Sequence, residues 1–265
     1  MVTPHLIRKP TVPRRSPPHN VCGFTTQEMA SRMNSRLKFS IATTILLALA
    51  ATLLAHADQK KSSLFANDKG KFKLLVDNNQ IGQEDFEIYS SGGNWVAKGT
   101  THLNPPGSPA ATVTGNLTLQ PDGAPVSYEW SSEADKNSNA HIAFVNNTAK
   151  MTVQLGTGRS FEQDLTFTTP LVVVLDNNLY YQYAVLARVY DWSRRGTQDF
   201  SVLIPQELLP GTITVEWAGA VSADGKTYEG LKVNTNDLQV VLYLDNNHRL
   251  MRIEVPASKA AIVRE

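Results

Sequence analysis

Few residues in this chain are placed for covalent chemistry. The sequence has no G-x-S-x-G motif, the turn that presents the nucleophilic serine in many hydrolases. Its one cysteine, Cys22, lies in an amino-terminal segment that we expect to be removed. The histidines beyond that segment, His102, His141 and His248, are far apart and belong to no short metal-binding motif. The sequence therefore gives no direct indication of a nucleophile, a redox thiol or a metal centre.

Carboxylates are the remaining candidates for acid–base chemistry. Glu84 and Asp85 are adjacent in a predicted strand, so their side chains point to opposite faces and do not form a pair. Together with Glu87 they are expected on a solvated strand surface. A second acidic group runs into a polar loop and carries the same expectation: Glu129, Glu133 and Asp135. A hydrolase or glycan-active enzyme that uses these carboxylates and the histidines stays open as an alternative.

The triplet Asp-Asn-Asn occurs three times, beginning at Asp77, Asp176 and Asp245, and each time it follows an apolar stretch. Asp and Asn tolerate left-handed backbone conformations and bond to their own backbone, so the triplets predict turns. A calcium loop needs more carboxylates at alternating positions than any triplet provides. We expect no metal and no cofactor.

The elements that must position these residues are mostly short strands. From Lys71 onward, apolar and polar residues alternate between turn signals, and the adjacent prolines Pro105 and Pro106 mark a loop. Sets such as Val126, Tyr128 and Trp130 would share one face of a strand. One apolar and one polar face are typical of antiparallel sheets. The sequence predicts a mainly β fold, either an antiparallel half-barrel or two packed antiparallel sheets.

The stretch "VVVLDNNLYYQYAVLARVYDW" departs from this pattern, because its apolar residues return with a period near 3.6. It predicts one buried helix over about 178–192, capped by Asn177 or Asn178, between strand sets over 70–168 and 197–264. Leu186 would face the packed side, and Arg188 would point away from it. Aromatic rings on and near this helix could line a ligand cavity, and the candidate ligand-binding residues are Tyr180, Tyr183, Tyr190, Trp192 and Trp217.

The chain begins with the pattern of an export signal. Residues 33–57 combine Arg36 and Lys38, a 16-residue apolar run and an Ala-x-Ala site, and they predict a signal peptide that is cleaved after Ala57. The run is shorter than the ~20 residues of a spanning helix, so no stable transmembrane segment is expected after cleavage. Residues 1–32 precede this signal peptide, and either a start codon placed too far upstream of Met33 or a genuine long leader over 1–57 would explain them. The predicted mature protein has a flexible start over 58–69 and one β-rich domain over 70–265.

Without the leader the chain carries 18 basic and 23 acidic residues and no cysteine. A mildly acidic surface disfavours nucleic acid as a partner, because phosphate backbones select dense Lys and Arg patches. An exported domain without disulfides must rest on its apolar core. At about 200 residues a chain buries roughly 70% of its unfolded surface, which is enough for such a core.

Two stretches carry a resemblance to known proteins. The opening "NNQIGQEDFEIYSSGGNWVAKG" and the closing "VVLYLDNNHRLMRIEVP" resemble uncharacterised secreted bacterial proteins rich in β-structure. The meandering strands with one helix are more distantly similar to the periplasmic lipoprotein-carrier superfamily, over about Lys71 to Val263. That resemblance implies an unclosed barrel that shelters acyl chains beneath helices. This chain departs from those carriers because its helix lies between two sets of strands.

These observations favour an exported, periplasmic or extracellular protein without enzymatic activity that binds a hydrophobic small molecule or lipid. Two alternatives stay open at this point. One is the hydrolase or glycan-active enzyme described above, and the other is a structural or protein-binding module of the cell envelope.

Overall fold

The alternating segments form strands, as their pattern predicts. A computed structural model describes residues 63–134, 137–205, 208–235 and 238–265, which contain fifteen strands and one α-helix. The strands are β1 (Asp68–Val76), β2 (Asn79–Ser91), β3 (Asn94–Leu103), β4 (Ala111–Leu119), β5 (Pro125–Glu133), β6 (Ser138–Val145), β7 (Thr148–Leu155), β8 (Phe161–Thr166), β9 (Val172–Val174), β10 (Thr197–Ile204), β11 (Leu209–Ala223), β12 (Lys226–Asn234), β13 (Gln239–Leu244), β14 (Leu250–Val255) and β15 (Ala260–Arg264). The predicted leader over 1–57 and residues 58–62 lie outside the described residues.

All fifteen strands belong to one sheet, in the order β8-β7-β6-β5-β4-β3-β2-β1-β15-β14-β13-β12-β11-β10-β9. Every neighbouring pair is antiparallel except β9 and β10, which are parallel. The edge strands β8 and β9 are not paired with each other, so the sheet is an unclosed barrel. The predicted mainly β fold is confirmed as the half-barrel, and the alternative of two separate sheets is wrong.

The triplets at 77 and 176 form turns, as predicted, because Asp and Asn tolerate the left-handed backbone conformation. Asp77 and Asn78 both have positive φ, at 47° and 64°, and Asn178 has φ of 67°. The third triplet uses its carboxylate instead, because Asp245 Oδ1 accepts hydrogen bonds from the backbone N–H groups of Asn247 and Arg249. The turns at 77 and 245 join paired strands and fix their register, which places the apolar set of each strand on the inner face.

The one helix of the described residues, α1 (Tyr181–Val189), lies inside the sheet. Its existence and burial are confirmed, but it is shorter than 178–192, and the predicted caps Asn177 and Asn178 precede it by at least three residues. Tyr190 leaves the helix in an extended conformation with ψ of 129°. The indole N–H of Trp192 donates to the backbone carbonyl of Ala187 at 2.9 Å and so satisfies one carbonyl of the last turn.

Two neighbouring helical residues show how the sheet surrounds α1. Leu186 is fully buried, as predicted. Arg188 was predicted to point away from the packing, and this is wrong: its side chain is half-buried and Nη1 donates to the backbone carbonyl of Asn247 at 2.8 Å. The helix has no exposed face there because the β13–β14 turn covers it.

The two ends of the barrel differ. At the closed end the last turn of α1 meets two strand turns, since Val189 packs on Gly123 and the ring of Trp192 stacks on His248 with centroids 3.7 Å apart. Leu64 and Phe65 also lie at this end, where Phe65 packs against Trp95. The open end has the loops that follow β3, β10 and β14. No helix of the described residues is long and apolar enough to span a bilayer.

Candidate functional site

The start of α1 is held by a carboxylate from the sheet. Glu84 of β2 is fully buried, and its two carboxylate oxygens accept hydrogen bonds from the backbone N–H groups of Tyr180 at 2.8 Å and Tyr181 at 3.0 Å. The first N–H groups of a helix have no partner within the helix, and the two oxygens of the Glu84 carboxyl group supply acceptors for two N–H groups at its start. The expectation that Glu84 lies on a solvated strand face is therefore wrong, whereas Asp85 and Glu87 are on the outer surface, with about two-fifths of their side chains exposed.

A second buried carboxylate holds the segment before the helix. Asp176 follows β9, and Tyr128 of β5 donates its hydroxyl to Asp176 Oδ2 at 2.5 Å. Gln182 closes the network, because its amide donates to the Tyr128 hydroxyl at 3.1 Å and its carbonyl accepts the backbone N–H of Asp176. These bonds tie the entry of the helix to the inner face of the sheet.

Burial dominates the electrostatics of this network. Desolvation raises the pKa of Glu84 from its ordinary 4.5 to about 8, although the N–H groups of Tyr181 and Tyr180 oppose the shift. Desolvation likewise raises the pKa of Asp176 from 3.8 to about 7, against the hydrogen bond from Tyr128. Two carboxyl groups therefore titrate near neutral pH inside the barrel, where their first effect is on the position of α1.

Two glycines explain why α1 approaches the sheet so closely. A Cβ atom at Gly99 would lie 2.4 Å from Cδ1 of Tyr181, and one at Gly115 would lie 2.6 Å from Cδ1 of Leu179. Only glycine leaves room for the Tyr181 ring on the inner face of β3 and β4. These glycines could not be assigned this role from the sequence. A glycine within a strand indicates that another group packs closely against the backbone, but the sequence does not show which group it is.

Three of the five predicted ligand-binding aromatics are held by contacts at or near the closed end. The hydroxyl of Tyr190 donates to the backbone carbonyl of Gly196 at 2.6 Å, and its ring meets Trp192 edge-on. Trp192 is held between Tyr190 and His248. The Arg195 guanidinium lies 4.5 Å from the ring centroid of Trp217. These three rings are therefore held in place by contacts with protein groups.

The other two aromatics, Tyr180 and Tyr183, are placed differently. They lie at the start of α1, the end of the helix that is nearest the open end, and both side chains are partly exposed. No hydrogen bond to either hydroxyl is found within the described part of the chain. Burial nevertheless raises the pKa of Tyr183 to about 12 and that of Tyr180 further. Side chains that are desolvated and yet partly accessible lie in a recess.

The histidines and the other carboxylates do not converge. His248 Nε2 lies 3.2 Å from Glu229 Oε2, whereas His102 contacts Thr112 and His141 lies 3.7 Å from Glu129 on the outer surface. Among the described residues, no group of three or more His, Cys, Asp or Glu side chains is arranged to hold a metal ion.

Comparison with known proteins gives structural neighbours alone. No protein-family model matches this sequence, and no curated protein matches it. The chain is similar to a β-barrel-like protein of the domain of unknown function DUF1849 from Brucella abortus, with a TM-score of 0.49 and 10% identity over 76% of this chain and 95% of that one. It is also similar to a DUF1089 family protein from Pseudomonas aeruginosa, with a TM-score of 0.41 and 10% identity over 66% of this chain and 90% of that one. The resemblance to the lipoprotein-carrier superfamily is not confirmed.

Proposed function

We propose that this protein is an exported, non-enzymatic binding protein whose ligand is a hydrophobic or lipid-like molecule, held at the open end of the half-barrel. One observation carries the proposal: apolar side chains on the inner face are left partly exposed at that end. They belong to four different strands, and they are Leu103, Phe161, Ile204 and Val255. Most inner-face apolar residues at the closed end are buried, among them Trp95, Leu119, Leu244 and Leu250, whereas Phe144 is partly exposed.

The position of α1 supports this location. The helix starts level with Gly99 and Gly115, near the middle of β3 and β4, and runs from there to the closed end. The helix therefore does not fill the part of the barrel between its first turn and the open end. Because Cβ atoms tilt toward the amino terminus of a helix, Tyr180 and Tyr183 are directed toward this space. Their free hydroxyls offer polar contacts to an amphipathic ligand. Mostly apolar ligand sites typically contain a small number of polar groups in this role.

Export is the other half of the proposal and rests on the sequence of residues 33–57. A hydrophobic ligand that crosses an aqueous compartment needs a protein that shields it, and an unclosed barrel can do so. Of the proposed site residues, Tyr180 and Tyr183 are central, while Tyr190, Trp192 and Trp217 would act through the packing that closes the other end.

The test is a fluorescence titration of the purified protein with N-phenyl-1-naphthylamine, an uncharged dye that becomes bright in apolar sites. We expect saturable binding that is weakened about five-fold or more by Leu103→Gln and by Tyr183→Ala, because each removes apolar surface from the recess. Val145→Gln is the matched control, since Val145 is 50% exposed at the closed end and should not contribute. A dye that gains no fluorescence, or that responds equally to all three changes, would refute the proposal.

A further inference from the structure

A groove of about 670 Å³ crosses the outer face of β1 to β5. It lies on the opposite face of the sheet from Glu84, Tyr181 and the open end of the barrel. Its volume falls within the ~300–1,000 Å³ that is typical of small-molecule sites. None of the residues predicted from the sequence as ligand-binding lines it.

Strand register places two rows of polar side chains along the groove. The first row runs through paired residues on five successive strands: Lys69, Glu87, Lys98, Asn116 and Glu129. The second row runs parallel to the first, two residues along each strand: Asp85, Thr100, Thr114 and Ser131. All nine residues line the groove.

The floor between the two rows is bare backbone. It consists of the residues at 70, 86, 99, 115 and 130, which also line the groove. The side chains of Phe86 and Trp130 are directed to the inner face, and Gly99 and Gly115 have none because Tyr181 occupies the space behind them. The backbone groups of this floor are used in the strand ladder, so the two rows of side chains provide the hydrogen-bonding groups of the groove.

Some charges of the groove are paired within the protein. Lys98 Nζ lies 3.3 Å from Glu87 Oε2, and Lys71 Nζ lies 2.9 Å from Asp85 Oδ1. The lining carries two lysines and three carboxylates, so its net charge does not favour an anion: Lys69, Lys98, Asp85, Glu87 and Glu129. Hydroxyl and amide groups make up the rest, and Thr114 Oγ1 and Ser131 Oγ already lie 2.6 Å apart. Such groups both donate and accept hydrogen bonds.

We propose that this groove binds a neutral, polyhydroxylated ligand, namely a short oligosaccharide. Sugar hydroxyls need partners that donate as well as accept, and Asn116, Thr100 and Ser131 provide both, while Glu129 and Lys98 offer charge-assisted bonds. The site is independent of the hydrophobic site, because the two lie on opposite faces of the sheet.

The experiment is isothermal titration calorimetry of the purified protein with maltotriose and with triacetylchitotriose. We expect at least one of these neutral trisaccharides to bind, and pyrophosphate and spermidine to bind at least about ten-fold more weakly. Thr114→Trp fills the groove and should abolish the binding, and Asn116→Ala should weaken it about ten-fold, the equivalent of one or two hydrogen bonds. Thr152→Trp is the control, because Thr152 is exposed on the outer face of β7, outside the groove.

Three results would overturn this proposal: no binding of either trisaccharide, stronger binding of a charged probe, or unchanged binding in Thr114→Trp. Dye binding at the open end should be the same in Thr114→Trp and in the unaltered protein. The groove and the hydrophobic site can thus fail separately.

Discussion

The protein is expected to be most stable near pH 4–5 and to lose stability as the pH rises to 8. Glu84 and Asp176 have higher pKa values in the folded chain, about 8 and about 7, than their ordinary 4.5 and 3.8. Between those values the folded state binds more protons than the unfolded state, so the free energy of unfolding falls with rising pH. At about 1.4 kcal/mol per pKa unit, the loss from Glu84 is on the order of 3–5 kcal/mol. Urea melts at intervals from pH 4.5 to 8 measure it.

The variant Glu84→Gln isolates the contribution of this carboxyl group to the pH dependence of stability. The amide keeps one acceptor for the N–H groups of Tyr180 and Tyr181 and cannot ionise, so the slope between pH 4.5 and 8 should become shallower. At pH 5 the variant should lose about 1–3 kcal/mol, because one N–H now faces an amide NH₂. Glu87→Gln is the control on the same strand, with its side chain outside beside Lys98. A wild-type protein that gains stability over this range would show that the two N–H bonds outweigh burial.

Leu186→Ala is expected to cost about 2–5 kcal/mol of unfolding free energy. Leu186 is fully buried in the centre of α1, and its truncation leaves a cavity that the surrounding strands cannot fill completely. Leu155→Ala is the matched control: Leu155 is 49% exposed at the end of β7 and should cost less than about 0.5 kcal/mol. Arg188→Ala should lie between them, near 1 kcal/mol, because its bond to Asn247 is lost. Denaturant melts of the three variants give the order, and equal losses in both leucine variants would contradict a packed helix.

The strands could be predicted from the sequence because apolar and polar residues alternate along a strand wherever one face of the sheet is buried. Tyr128 and Trp130 are buried on the inner side of β5, as their spacing predicts. Val126 is only half-buried, because a register shift opposes Leu119 to Pro125 and leaves Val126 unpaired. The alternation breaks in β14, where Leu250 and Ile253 are buried and Met251 is only half-buried. A register shift at Leu244 opposes Leu244 to Leu250 and leaves Met251 unpaired. Such a bulge depends on how the strand pairs with its neighbour, and the periodicity of a single strand contains no information about that pairing.

The buried role of Glu84 was accessible from the sequence and was missed. Glu84 shares parity with Phe86 and Ile88, both buried on the inner face, so the alternation itself places this carboxylate inside. Its partner could not have been found, because the helix that it caps begins 97 residues later. The short length of α1 has the same origin: its start is set by Glu84, a long-range contact, and not by the local Asn177 and Asn178.

The site that we propose at the open end could be predicted from the sequence only as a class of site. The aromatic helix suggested a hydrophobic cavity, and the structure separates Tyr180 and Tyr183 from the aromatics at the closed end. The difference depends on which end of the barrel the helix reaches, and neither composition nor spacing contains that information. The outer groove was missed for a related reason, since its two rows appear only when five strands are set side by side.

Native mass spectrometry of the protein, purified from its source without denaturation, tests most directly whether the half-barrel holds a hydrophobic ligand. We expect the folded chain to carry additional mass that is released on unfolding and recovered in an organic extract. Leu103→Gln should reduce the fraction that carries this mass, whereas Val145→Gln should leave it unchanged. A folded protein that carries no additional mass and does not bind N-phenyl-1-naphthylamine would contradict the proposed function.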